Sequence, residues 1–283
     1  MGRADATDTL AQYHRETLSE GTMTELPELT SEEIRRYSRH LALPGIGEVG
    51  QRRLKAAQVL VVGAGGLGSP VLMYLAAAGV GRIGVVDGDT VGVSNLQRQI
   101  VHGTATLGRA KAESARERLA DLNPDVEVVA YPEAFTAENG ERIASEYELV
   151  VDGTDNFAAR YLINDVCLRL GIPFVYGGVF RMEGQASLFC ADDGPCYRCV
   201  FPHPPPPESV MSCEEAGVLG SVPGTIGTLQ ATEAVKFILG LGTSLLGRLI
   251  VYDAAEMRFE KVALHRNPDC PACGIGPGSD RTQ

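Results

Sequence analysis

The chain has 283 residues, with 25 Lys and Arg against 36 Asp and Glu, for a formal net charge of −11. That acidity lacks the basic footprint that binding along a phosphate backbone requires, which excludes nucleic acid as a general partner. A hydrophobic share of 44% is enough to bury a core, and at roughly 100–200 residues per domain the length suits one large domain or one with an appendage.

Residues 1–28 carry scattered charges and Thr without an apolar period, and read as a flexible tail. No apolar run follows a basic region there, so no secretory signal is read. Seven Cys, an odd number, then point to a reducing cytoplasm that keeps thiols available for metal or catalysis. Met23 is an alternative start, because it runs directly into a capped helix. Thr30 or Ser31 is the N-cap, and Glu32 and Glu33 suit the positive end of the helix dipole.

The stretch from Ala56 to Gly81 carries no charge and is long enough to suggest a membrane span. Its glycines and Pro70 divide it instead into strand, tight turn and helix, so no membrane partner is expected. From Val59 onward, short Val/Ile-rich runs alternate with helical segments, the pattern of a parallel sheet with crossover helices. Strands are expected at Val59–Val62, Arg82–Asp87, Val126–Tyr131, Glu148–Asp152 and Pro173–Val179. Helices are expected at Ser69–Ala78, Arg109–Leu122, Ala137–Tyr147 and Phe157–Leu170. Past Gly184 the pattern changes to strands at Gln185–Phe189, Arg248–Tyr252 and Arg258–Leu264 around a helix at Ile226–Leu239. This part should lengthen the sheet with antiparallel strands rather than fold alone. The Pro-rich segment Phe201–Val210 cannot be helix or central strand, and is expected to be a mobile loop.

Four constellations carry chemistry. Gly63, Gly65, Gly66 and Gly68 form a G-x-G-x-x-G turn between strand and helix, where backbone can approach phosphate and amides point at it. Asp87 ends the next strand, where a ribose-binding carboxylate belongs. This motif fixes a nucleotide but does not separate NAD from ATP, and the chain has no P-loop sequence. Beyond Asp87 and Asp89, the run Ser94-Asn95-Leu96-Gln97-Arg98-Gln99 and then Lys111 decide for a triphosphate. Fixed cations and amides there can stabilise charge developing on phosphate, whereas hydride transfer has little use for them. The alternative for Arg98 and Lys111 is that they are ordinary surface cations.

Asp152-Gly153-Thr154-Asp155-Asn156 follows a buried-looking strand, and Asp155 is the choice for holding Mg²⁺. Asn156 could equally cap the following helix. Two CxxC pairs, Cys196/Cys199 and Cys270/Cys273, offer a tetrahedral tetrathiolate site for structural Zn²⁺ that ties the distant C-terminus back to the sheet; disulfides within each pair are the alternative. Cys167 and Cys190 read as inert core thiols. Cys213, at the end of the Pro-rich loop, could swing toward an activated acyl group or could merely pack.

Together these residues resemble one family, the MoeB and ThiF group of ubiquitin-activating-type adenylating enzymes, from about Ser31 to Cys273. The resemblance rests on Arg36-Tyr37-Ser38-Arg39, GAGGLGS, DGDTVGVSNLQRQ, GRAKAES, DGTDN, Arg181-Met182-Glu183-Gly184-Gln185, PCYRC, MSCEEAGV and NPDCPAC. It implies ATP as substrate with Mg²⁺, and a ubiquitin-like sulfur carrier protein whose C-terminal Gly-Gly carboxylate becomes an acyl adenylate with release of pyrophosphate. Sulfur then displaces AMP to give a thiocarboxylate. Gly66 and Asp87 would bind the nucleotide, Ser94, Asn95, Leu96, Gln97 and Arg98 would wall the phosphates, and Lys111 would contact phosphate. Asp155 and Asn156 would complete the site, Arg39 would reach into the partner's site of a homodimer, and Cys213 matches a thioester or persulfide cysteine of some members. Fused relatives carry a rhodanese domain, so a separate sulfur donor is expected here, and the motifs lean toward the molybdopterin branch over thiamine or tRNA thiolation.

The expected fold is therefore α/β: a Rossmann-like, doubly wound, mostly parallel sheet extended by antiparallel strands, with a structural tetra-Cys zinc site. The adenylation domain spans 29–273, divided into a nucleotide-binding part, 56–184, and a carrier-binding and zinc part, 185–273, before a tail at 274–283. Two other readings use fewer of these residues: an NAD-dependent oxidoreductase built on the same glycine turn, and a non-catalytic zinc-containing binding module.

Overall fold

The computed structural model describes residues 26–190, 194–206 and 216–274. Three short helices lead in: α1 (Ser31–Arg36), α2 (Ser38–Leu41) and α3 (Gly47–Ala56). Thr30 is the cap of α1: its Oγ1 accepts from Glu33 N at 3.2 Å, and the Glu33 carboxylate accepts from Thr30 N at 2.7 Å. Two otherwise orphaned amides are thereby satisfied.

There follow β1 (Gln58–Val62), α4 (Gly68–Ala78), β2 (Arg82–Val86), α5 (Lys111–Leu122), β3 (Glu127–Tyr131), α6 (Gly140–Ala144), β4 (Leu149–Asp152), α7 (Phe157–Leu170) and β5 (Phe174–Phe180). The chain continues through β6 (Glu183–Phe189), α8 (Tyr197–Val200), α9 (Ser221–Leu239), β7 (Arg248–Asp253) and β8 (Arg258–Ala263). All eight strands form one sheet in the order β3-β2-β1-β4-β5-β6-β7-β8. The first five are parallel and the last three join antiparallel.

Strand periodicity explains the two covered faces. Val59 and Val61 of β1 pack with Leu72 and Leu75 of α4, Leu119 of α5 and Ala234 of α9. Leu60 and Val62 point the other way, into a layer with Ile143 of α6, Ile163 and Val166 of α7, and Phe174. Helices on both faces exclude water from the central strands, which is why these read as continuous apolar runs. The uncharged stretch from Ala56 resolves into β1, a turn and α4, and among the described residues no helix is long and apolar enough to cross a membrane. Edge strand β8 is exposed along its whole length and carries Arg258, Glu260 and Lys261, charges that discourage pairing with another edge.

Three helix boundaries differ from expectation. The segment expected as helix from Ala137 to Tyr147 is helical only at Gly140–Ala144. Asn139 accepts from Thr136 N at 2.8 Å and donates to Ala134 O at 2.8 Å, which holds the preceding residues in a turn. Tyr147, past the helix, is buried in the core. Helix α9 starts at Ser221 rather than Ile226, since Pro223 falls in the first turn, where a missing N–H costs nothing. Helix α5 starts at Lys111 rather than Arg109, because Thr90 and Ala110 form a β-bridge and Lys111 N donates to Asp89 O at 2.9 Å. The Pro-rich segment carries no helix or strand at Phe201–Pro206; its remainder lies outside the described residues.

Candidate active site

Strands β1 and β4 are neighbours, but their crossovers leave on opposite sides, to β2 and to β5. A crevice opens at such a switch point beyond the carboxyl ends of the strands. Gly63 N donates to Val86 O at 2.7 Å and Gly153 N to Val62 O at 2.8 Å, drawing the ends of β1, β2 and β4 together. Gly63 has φ +97°, and a Cβ there would lie 2.7 Å from Gly153 O. A Cβ on Gly68 would lie 1.8 Å from Gly63 O, so the turn into α4 closes only over glycine.

The crevice holds a cavity of about 460 Å³ lined by Gly63, Gly65, Gly66, Asp87, Asp89, Arg98, Gln99, Lys111, Phe135, Thr154, Asp155 and Asn156 among others. Its volume falls within the range of small-molecule sites. Four separate motifs of the sequence thus converge on one space.

Asp87 is 8% exposed. Its carboxylate accepts from Ala64 N at 2.8 Å and from Asp89 N at 2.9 Å, so it braces the glycine turn as well as facing the cavity. Burial pushes the Asp87 carboxyl above its ordinary value, while Lys111 and the two amides pull it back. Lys111 is 6% exposed, which removes the surface-cation alternative, and its Nζ lies 2.8 Å from Asp89 Oδ2. Arg98 donates from Nη1 to Ser94 O at 3.0 Å, and its Cδ lies 3.5 Å from the position of a Cβ on Gly66. Glycine-turn amides, the N-terminus of α4, Arg98 and Lys111 therefore gather at one end of the cavity, where an anion is favoured.

Asp155 is exposed at the mouth, and among the described residues its carboxylate has no hydrogen bond or ion pair. Asn156 caps α7, accepting from Ala159 N at 2.9 Å, and also lines the cavity. Asp152 just before them is fully buried; its Oδ1 accepts from Thr154 N at 2.9 Å and from Thr154 Oγ1 at 2.6 Å. Burial raises the Asp152 carboxyl and the nearby Arg160 opposes it. Gln230 of α9 donates to Asp152 O at 2.7 Å, so the loop carrying Asp155 is fixed from both sides.

The other expected site residues lie elsewhere. Gly68 sits in the first turn of α4, Ser94 and Asn95 lie in a 3-10 turn (Val93–Asn95), and Leu96 and Gln97 follow it; none is among the cavity's lining residues. Arg39 is exposed on α2 and lines no part of its own chain's cavity. Cys213 lies outside the described residues.

One residue that the sequence did not single out takes part, together with Gln99 from the end of the expected phosphate-side run. His102, 8% exposed, has Nε2 2.9 Å from Ala64 O and Nδ1 2.9 Å from Ser114 Oγ. Ala64 is thus gripped through its N–H by Asp87 and through its carbonyl by His102. Gln99, 4% exposed, lines the cavity beside Gly65. Gln99 closes the run from Ser94 that reads toward a triphosphate, whereas a lone His gives no signal.

The four expected metal-site thiols form a second centre. Cys196 Sγ lies 3.8 Å from Cys199 Sγ and 3.6 Å from Cys270 Sγ, and Cys199 Sγ lies 3.4 Å from Cys273 Sγ. All four sulfurs are within 4.8 Å of one another. A disulfide requires about 2.05 Å, so these thiols are free. Sulfurs about 2.3 Å from a central zinc stand roughly 3.8 Å apart in a tetrahedron, and the donor set fits that ion. Burial and then Cys273 and Cys199 push the Cys196 thiol up, so it would ionise there only beside a cation. Cys167 is buried with its thiol raised by burial, as an inert core residue should be.

The family comparison matches residues 37–272 to the ThiF family. The chain belongs to that family. A "Sulfur carrier protein adenylyltransferase" of Thermus thermophilus is 53% identical over 253 residues, covering 88% of this chain and 93% of the relative. A "SAMP-activating enzyme E1" of Haloferax volcanii is 50% identical, covering 88% of this chain and 92% of the relative. The "Probable adenylyltransferase/sulfurtransferase MoeZ" of Mycobacterium tuberculosis is 50% identical over 86% of this ThiF-family chain, which spans 63% of that protein's length. Among solved structures, E. coli MccB with ATP superposes with a TM-score of 0.75 at 24% identity, covering 87% of this chain and 75% of that one. That likeness is one of fold.

Proposed function

We propose that this ThiF-family chain adenylates the C-terminal Gly-Gly carboxylate of a ubiquitin-like sulfur carrier protein. ATP is the co-substrate and pyrophosphate is released. The observation that carries the reading is the convergence of Asp87, Arg98, Lys111 and Asp155 with the glycine turn on one cavity. The names borne by relatives at 50% and 53% identity support it.

In this reading Asp87 accepts the ribose hydroxyls, and the glycine-turn amides receive the phosphates. A carboxylate oxygen of the carrier attacks the α-phosphorus, and the bond from that phosphorus to the bridging oxygen of the β-phosphate breaks. Its electron pair leaves with pyrophosphate, and the carrier is left as an acyl adenylate. Charge grows on the α-phosphate's non-bridging oxygens and on the leaving group, beside Arg98 and Lys111. The cost of desolvating Lys111 is already met by the fold, so it needs little reorganisation during reaction. The unpaired carboxylate of Asp155 is a hard oxygen donor that fits Mg²⁺, which prefers one or two carboxylates together with phosphate oxygens. Bound there, Mg²⁺ would offset triphosphate charge. The four-Cys cluster would hold Zn²⁺ as a structural clasp, away from the reacting atoms.

The wider reading follows the family resemblance. The enzyme works in the cytoplasm as a homodimer in which Arg39 acts across the interface, and a separate protein supplies persulfide sulfur for the thiocarboxylate, with Cys213 as the thiol that takes part. The carrier is that of molybdopterin synthesis.

Carrier-dependent exchange of labelled pyrophosphate into ATP tests the reaction. Asp155→Ala should lower it by roughly a hundredfold or more. Exchange at the wild-type rate in that variant removes Asp155 from the site, and no exchange by the zinc-loaded wild type with any Gly-Gly carrier refutes the reaction.

A further inference from the structure

Resting on the zinc reading above, we propose that Asn164 of α7 is a positioning residue of the four-Cys centre, holding the Cys196–Cys199 half in the arrangement that ligates the metal. The two halves of the centre are built differently. Around Cys270 and Cys273 the turn closes on its own main chain: Cys270 N donates to Asn267 O at 3.0 Å, and Gly274 N to Cys270 O at 2.9 Å. In the other half Cys196 is the cap residue of α8, yet its side chain makes no capping bond. Its sulfur faces those of Cys199 and Cys270 instead. The buried Tyr197 N–H must then find its acceptor elsewhere in the fold. Asn164, 0% exposed, supplies it, its Oδ1 accepting from Tyr197 N at 2.8 Å. The other end of the same carboxamide donates from Nδ2 to Asp165 Oδ1 at 3.1 Å. Asp165 in turn receives Arg198 Nε at 2.8 Å and Nη2 at 2.7 Å. Both residues that separate Cys196 from Cys199 are thereby tied to α7. With metal bound, the sulfurs would pin this turn, and an amide deprived of Asn164 would have no room to seek another partner. Without metal the turn can relax, so loss of Asn164 should weigh on metal binding more than on the fold.

The test compares the full chain as wild type, Asn164→Leu and Asn164→Asp. Zn²⁺ affinity is read by competition with a chromophoric chelator, thiolate geometry by the absorption of the Co²⁺-substituted protein, and stability by the melting temperature of the chelated and zinc-loaded forms. Leucine fills the same space without an acceptor, so Kd for Zn²⁺ should rise roughly tenfold to a hundredfold, the usual effect of removing a group that orients a metal's ligands. The tetrahedral Co²⁺ bands should weaken with it, and the zinc-loaded form should lose more melting temperature than the chelated form. Asn164→Asp keeps an oxygen in the same place, and should hold zinc more tightly than Asn164→Leu. Asn164→Ser replaces the leucine variant if that one does not fold, since its hydroxyl ends one bond short of the amide. Wild-type zinc affinity in the folded variants overturns the proposal, including the case where chelated and loaded forms lose melting temperature equally, which marks a merely structural residue. Zinc binding by Asn164→Asp as weak as by Asn164→Leu also overturns it, because the acceptor is then not what matters. Wild type that binds no zinc refutes the zinc reading and this assignment together, whereas zinc-binding wild type with unaffected variants refutes Asn164 alone.

Discussion

Replacing Cys270 and Cys273 together by alanine should destabilise the chain by a predictable amount. These residues follow β8 and meet Cys196 and Cys199 at the start of α8, so a metal among them closes a loop of roughly 70 residues containing α9, β7 and β8. By the loop-entropy relation used for covalent cross-links, such closure is worth about 4 kcal/mol. Zinc-finger peptides gain about 10–16 kcal/mol from zinc, but only because the apo peptide is unfolded. Here β7 is held by β6 and β8 in extended antiparallel register without any metal, so the apo chain keeps its sheet and the smaller figure governs. At about 2–4 °C per kcal/mol for chains of comparable size, the midpoint of thermal unfolding should fall by about 10 °C. Differential scanning calorimetry on wild type, chelated wild type and the double variant reads this directly, with zinc measured per chain. Chelated wild type and variant should coincide, each about 10 °C below the zinc-loaded protein. Equal melting of all three, or a wild type purified without one zinc per chain, refutes the clasp.

The remaining predictions concern the cavity. Burial raises the Asp87 carboxyl above its unfolded value, so its contribution to stability is fully present below the ordinary Asp range and is lost as pH rises through the folded value. Urea midpoints should therefore fall more steeply across that window in wild type than in Asp87→Asn, and parallel slopes would contradict the assignment. Conversely, the ionised form is the one that accepts ribose hydroxyls, so ATP affinity should weaken on acidification at a pH above the ordinary Asp range, a step absent from Asp87→Asn. If Arg39 acts across a dimer, mixing inactive Arg39→Ala and Asp155→Ala proteins should restore roughly a quarter of wild-type exchange, because half of the dimers then carry one intact site. No recovery after demonstrated subunit exchange would return Arg39 to its own chain's surface.

Much of this was legible in sequence because the decisive signals are local. Val59–Val62, Glu148–Asp152 and their neighbours read as buried strands since helices cover both faces, and a glycine turn between strand and helix announces its own ligand class. The helix at Gly140–Ala144 was overestimated because the side chain of Asn139 competes for backbone groups, and composition does not reveal that competition. Lys111 was ambiguous for a different reason. Whether a Lys at the start of a helix faces water depends on the bridge between Thr90 and Ala110, a non-local contact that turns α5 inward. His102 was passed over on the same ground: it matters through what it meets across the fold, at Ala64.

The switch point explains why glycine recurs on both sides of the cavity. A ligand can reach the ends of β1 and β4 only if no side chain fills the crevice, yet the two strand ends must also be held together. Both conditions are met by backbone alone: a Cβ on Gly63 would lie 2.7 Å from Gly153 O, and one on Gly153 would lie 2.6 Å from Gly63 O. With the floor built from main chain, the side chains that do chemistry come in from the periphery, from the turn after β2, the start of α5 and the loop after β4. Each of these is anchored by its own hydrogen bond, Asp87 to Ala64, Lys111 to Asp89 and Asp152 to Thr154. Removing one functional group should therefore leave the others in register. That separation between floor and functional groups is what allows the variants above to report on chemistry instead of on collapse of the site.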